Sequence, residues 1–156
     1  IRSRGLGDVY KRQGYFDTKL VYIAEEKTAN NISKKIAIMD YDGNNHEYLT
    51  SGKNIAITPR FSPNGKKIAY LSFSDKKPTV ILFDLDTKKE KVLGNFSGMS
   101  FAPRFSPDNK KIIFSLTKRG SSNIFIQTLS NNETIQVTKN RHINTSLLRV
   151  DKLNLK

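Results

Sequence analysis

Residues 98–102, Gly-Met-Ser-Phe-Ala, stop one position short of the G-x-S-x-G turn that strains and exposes a nucleophilic serine. That turn needs a strand before it and a helix after it. Ser100 reads as a loop residue, its counterpart in the internal repeat described below is Ala56, and no helical pattern follows. Asp40-Tyr41-Asp42-Gly43 begins like a calcium loop, but the third oxygen ligand before the glycine and the closing glutamate are missing. Asp84 and Asp86 repeat the acidic pair without a glycine, and the next copy carries Thr128 and Ser130, so hairpin turns are expected. His46 and His142 lie far apart with no partner at zinc-binding spacing. With no cysteine, a thiol nucleophile, a Cys-ligated metal and a disulfide are all excluded. The expectation is a protein without catalytic residues, metal or cofactor.

A formal net charge of +13 invites a nucleic-acid reading, because a basic face attracts phosphate. The cations, however, come as scattered turn pairs: Lys34-Lys35, Lys66-Lys67, Lys76-Lys77, Lys88-Lys89 and Lys110-Lys111. No basic run reaches five residues and no Arg-rich helix is legible. A solvated surface explains the charge better than nucleic-acid binding. Phe61, Tyr70, Phe105 and Phe114 could form a base-stacking platform. Their strict equivalence in the repeat assigns them to the core instead. No apolar run approaches the roughly 20 residues of a membrane-spanning helix. Direct membrane insertion is not expected. A charged-then-apolar leader is not seen at the start, so an export signal is expected to be missing from this copy.

These elements are set by a repeat. PRFSPNGKKIAY at 59–70 returns as PRFSPDNKKIIF at 103–114, an offset of 44 positions. Thr79-Val80-Ile81-Leu82-Phe83 falls on Asn123-Ile124-Phe125-Ile126-Gln127, and Glu90-Lys91-Val92-Leu93 on Thr134-Ile135-Gln136-Val137. Each unit holds four short β-rich runs between turn-forming residues. Asn64-Gly65 is a two-residue hairpin signal, since both residues tolerate positive φ, and Asp108-Asn109 stands in its place in the next copy. Four antiparallel strands every 40 to 50 residues predict β-propeller blades. The nearly continuous apolar runs IAYLSF and VILFDL suit strands sandwiched between two neighbouring blades. Phe61, Ile68, Tyr70, Phe105, Ile112 and Phe114 are the expected inter-blade core.

An earlier, partial copy aligns KLVYIAE (19–25), KIAIMDY (35–41) and HEYLT (46–50) with the second, third and fourth strands. A later copy starts at Asn144-Thr145-Ser146, but Leu147 replaces the expected proline. The predicted fold is therefore all-β, a partial propeller of about three four-stranded antiparallel blades. Expected boundaries are 14–52, 53–96 and 97–140, with the next blade opening at 141–146. Residues 1–13 resemble a translated adaptor sequence and 147–156 an aberrant or frameshifted tail.

The proline, aromatic, Ser-Pro-Asp/Asn-Gly-Lys-Lys-Ile pattern resembles the WD40-like repeats of the TolB family and of prolyl-oligopeptidase propellers. More specific is Gly14-Tyr15-Phe16-Asp17-Thr18 followed by LVYIAE, then Ile36 to Asp40 and Tyr41-Asp42-Gly43, which is similar to the entry into TolB-family propellers. The resemblance runs from Gly14 to Ser146. It implies a six-bladed ring preceded by a small α/β domain. It implies a periplasmic binding protein of the Tol–Pal system that receives a Pal-type peptidoglycan-associated lipoprotein on its central face. Colicins share that face, and other Tol proteins engage the separate α/β domain.

Family positions on the binding face precede each strand-opening proline. The resemblance places them here at Met99, where relatives commonly carry a polar residue, at Ala102, and at Thr145. Thr58, before Pro59, is added by repeat symmetry. The physical reason for such a rim is that innermost strands converge on one channel, so equivalent positions of successive blades meet one partner. The alternative is the regulatory propeller of a prolyl-oligopeptidase-like serine peptidase, which a downstream α/β-hydrolase domain would identify.

Overall fold

The computed structural model describes residues 18–29, 31–74, 77–93, 99–118 and 120–139. Eleven strands form three antiparallel sheets, and every described element is a strand or a turn. The first sheet contains β1 (Lys19–Thr28), β2 (Asn31–Asp40) and β3 (Glu47–Tyr48). The second contains β4 (Ile55–Phe61), β5 (Lys67–Ser74), β6 (Lys77–Asp84) and β7 (Lys89–Val92). The third contains β8 (Met99–Phe105), β9 (Lys111–Lys118), β10 (Ser121–Thr128) and β11 (Thr134–Gln136). Each sheet is a meander in which sequence neighbours pair, as expected for a partial propeller.

The register confirms the repeat residue by residue. Tyr70 lies opposite Ile81, and Phe114 lies opposite Phe125. In the first sheet Lys19 pairs with Asp40, as Lys67 pairs with Asp84 in the second, so Tyr22, Tyr70 and Phe114 are equivalent.

Alternation along the strands of the middle blade separates two cores. Ile68, Tyr70, Ile81 and Phe83 face the first blade and pack with Ile36, joined by Val21, Ile23 and Leu49. Their sequence neighbours Ala69, Leu71, Val80 and Leu82 face the third blade, where they meet Phe105, Ile112, Phe114 and Phe125. Side chains of a strand point alternately to its two faces, and here both faces are covered. That is why the apolar runs are continuous. Five of the six expected core residues are buried, from Ile68, Ile112 and Phe114 at 0% exposure to Phe105 at 6%. Phe61 is half-buried, packed against the edge of the first core.

The hairpin between β4 and β5 corrects one expectation. Of Asn64 and Gly65 only Gly65 takes positive φ (+70°), and in the next blade only Asn109 does (+59°). The Gly65 amide donates to the Ser62 carbonyl, and Ser62 and Lys67 close the loop, giving a four-residue connection with Pro63 fixing its first position. The Ser62 hydroxyl accepts from the Lys67 amide (2.9 Å) and donates to Asn64 Oδ1 (2.7 Å). Ser106, Lys111 and Asp108 repeat this arrangement, with the hydroxyl-to-carboxylate bond at 2.5 Å. The Ser-Pro of each repeat thus builds the turn.

Candidate functional site

The inner edges of the second and third blades are β4 and β8, the first strand of each sheet. Both strands lose register midway, between Ile57 and Arg60 and between Phe101 and Arg104. Thr58 and Ala102 are thus placed at equivalent β-bulges. A bulge frees two positions from the ladder and re-aims them, and the prolines that follow could not have donated to it. Pro59 and Pro103 are both buried and pin these bulges to their blades.

Thr58 carries two costs. Its φ is +53°, a left-handed conformation that a β-branched residue rarely adopts. Its Oγ1 is enclosed without a hydrogen-bond partner among the described residues. Strain of this kind costs on the order of 1–3 kcal/mol and gathers at functional positions. Met99 opens β8 opposite Thr117, three positions ahead of Ala102, so the strand brings both onto one inner edge. Thr145 lies outside the described residues, as do Gly14–Asp17, His142, residues 1–13 and residues 147–156.

The candidates for chemistry resolve as follows. Ser100 lies within β8 opposite Leu116, not in a loop, and the strand continues to Phe105 without a turn into a helix. Asp40 to Asn45 form a turn: Gly43 has φ +84°, Asn44 Nδ2 donates to Asp42 (2.9 Å), and Asp40 accepts from Asn45 (2.5 Å) and Lys19 (2.6 Å). These contacts hold the Asp40 carboxyl below the usual carboxylate range, led by the Lys19 hydrogen bond. Asp84 is likewise lowered, first by its bond to Lys67 and then by the Thr87 amide. His46 stands between Tyr22 and Tyr48, with ring centroids at 6.0 and 4.6 Å, as an aromatic neighbour.

Two features were not read from the sequence. Arg60 is exposed on the inner strand, its Nη1 donating to the Pro59 carbonyl at 3.3 Å. Between the first and second blades lies a polar pocket of about 110 Å³, lined in part by Thr50, Lys53, Tyr70, Ser72 and Glu90. The Tyr70 hydroxyl donates to Glu90 Oε1 (2.7 Å), and burial, then this carboxylate, pushes the phenol well above its usual range. The signal was available: equivalent positions in the next blade are Phe114, Leu116 and Thr134, so two apolar sites have become polar.

The profile of the TolB beta propeller domain matches residues 8–148. The Tol-Pal system protein TolB of Paramagnetospirillum magneticum is 48% identical over 79 residues, which cover 48% of this chain and 18% of that protein. The protein of the same name from Wolbachia pipientis subsp. Culex pipiens is 49% identical over 83 residues, 53% of this chain and 19% of that protein. This chain therefore matches about a fifth of the length of these relatives. In structure it is similar to TolB from Acinetobacter baumannii, with a TM-score of 0.73 and 30% identity over 85% of this chain and 33% of that one. An acylaminoacyl peptidase superposes with a TM-score of 0.62 at 15% identity over 77% of this chain and 24% of that one, a likeness of fold alone. Blade architecture, repeat register and the matched span agree: the chain belongs to the TolB β-propeller family.

Proposed function

We propose that this chain is part of a non-enzymatic, periplasmic binding propeller of the Tol–Pal system. It receives a Pal-type lipoprotein on the rim of its inner strands, and so supports outer-membrane integrity and cell division. The observation that carries this reading is the 48–49% identity to proteins named Tol-Pal system protein TolB. The rim is consistent with it, because Thr58 and Ala102 occupy equivalent bulges of adjacent inner strands. Colicins and other Tol proteins are further partners under the same reading. The peptidase-propeller reading is less favoured, since its support is the fold likeness alone.

The test is Ala102→Arg, measured by calorimetry against a purified Pal-type domain. Ala102 lies at the unpaired bulge, so the fold should survive, as circular dichroism will check. Binding should weaken by about 2 kcal/mol or more through clash and an unpaired charge in the interface. Lys91→Glu, an exposed change on the outermost strand of the middle blade, is the control and should bind like the parent. Equal binding by both variants would remove the rim as the docking surface.

A further inference from the structure

We infer that the polar pocket between the first and second blades binds a small zwitterion, an α-amino acid the size of glycine or alanine. This site is independent of the proposed rim. The pocket measures about 110 Å³. Sites for drug-sized ligands run to about 300–1,000 Å³, so this one takes only a few heavy atoms. Its lining differs from a seam that serves packing alone. The middle blade contributes Tyr70 and Ser72 from β5 and Glu90 from β7, where the third blade has Phe114, Leu116 and Thr134. Ser72 is 8% exposed, and its hydroxyl has no hydrogen-bond partner among the described residues. A buried hydroxyl costs free energy unless something in the pocket completes its hydrogen bonding.

The charges define the ligand. Lys53 and Glu90 line the same pocket, yet neither enters an ion pair among the described residues. The Tyr70 hydroxyl donates to Glu90 Oε1 at 2.7 Å, which orients the carboxylate and leaves Oε2 to accept from a ligand. Donors gather on the connection between β3 and β4. There Thr50 Oγ1 accepts from the Ile36 amide at 2.9 Å, so its own proton remains to be donated, and Lys53 supplies the positive charge. A lone cation would meet Lys53, a lone anion would meet Glu90, and a neutral polyol would leave both charges unused. A molecule that offers an ammonium to Glu90 and a carboxylate to Lys53 and Thr50 satisfies both ends through charge-assisted hydrogen bonds. The volume then restricts it to a short side chain.

The experiment titrates the full chain with glycine and with alanine, followed by saturation-transfer NMR. Saturable binding is expected. N-acetylglycine, which lacks the ammonium, and glycinamide, which lacks the carboxylate, should each bind about tenfold or more weakly, a comparison that needs no variant. Glu90→Gln keeps an acceptor for Tyr70 but removes the charge. It should weaken glycine binding about tenfold and shrink the preference for glycine over N-acetylglycine. Lys53→Met should instead shrink the preference for glycine over glycinamide. A substitution that only loosened the fold would lower all three affinities together and leave both preferences intact. Circular dichroism checks that each variant is folded. No saturable binding of glycine or alanine, equal binding of the blocked compounds, or preferences unmoved by either substitution would overturn the inference. Because the Pal-type domain is not a component of this titration, its outcome leaves the rim reading untouched.

Discussion

The backbone amide of Asn64 donates to the side-chain Oδ1 of Asn109 at 3.1 Å, tying the β4–β5 turn of one blade to the equivalent turn of the next. Asn109 occupies the left-handed position that Gly65 fills in the preceding blade, with φ +59°. Its side chain makes a contact that glycine could not. The strain of a left-handed residue with a Cβ is therefore set against an inter-blade hydrogen bond.

Replacing Asn109 separates these terms. Asn109→Ala keeps the strain and loses the bond, and should destabilise by about 1–2 kcal/mol. Asn109→Gly loses the bond but relaxes the backbone, so its cost should be less than half as large. Urea denaturation of both variants checks this, and equal losses would mean that backbone strain contributes nothing at the position.

The interface between the second and third blades should be the most sensitive part of the fold. Phe114 is fully buried and stacks on Phe125 with centroids 6.0 Å apart. Phe114→Ala should cost about 3–5 kcal/mol. Val137→Ala, at a residue 52% exposed, should fall within about 0.5 kcal/mol of the parent. Similar thermal midpoints for the two would contradict the packing described.

Acid should remove the contribution of Asp84. Its folded carboxyl is held below the usual range by Lys67 and Thr87, so its stabilisation is present above the unfolded value near 3.9 and fades as pH falls through the lower folded value. The urea midpoint of Asp84→Asn should lie below the parent's at neutral pH. The gap should narrow progressively below about pH 4. A gap that stays constant down that range would show that the ion pair makes no pH-dependent contribution.

Base should act through Tyr70, whose folded value is raised by burial and by Glu90. Its stabilising effect is intact below the unfolded value near 10 and is lost as pH rises above it. In an ultraviolet titration, one tyrosine of the six in the chain should resist ionisation until the protein unfolds. Tyr70→Phe should abolish that resistant phase, and its persistence in the variant would assign it to another tyrosine.

The repeat offset, the four-strand unit, the hairpin positions and the burial of Ile68, Tyr70, Ile112 and Phe114 were all legible in the sequence. They depend on chain periodicity and on side-chain size at equivalent positions, both of which are written locally. What tertiary packing decided is how equivalent residues differ. Leu20 is 41% exposed where its counterparts Ile68 and Ile112 are fully buried, because each burial depends on the blade in front. Lys88, a turn lysine that looked like solvated surface, reaches Glu47 of the first blade at 2.8 Å. The Asn64–Asn109 tie, the polar Tyr70–Glu90 contact and the strained Thr58 beside Arg60 also come from the structure. Each depends on where one element sits against another, or on the φ that two flanking constraints force on a residue. Residue type restricts these outcomes, and the neighbouring blade selects among them.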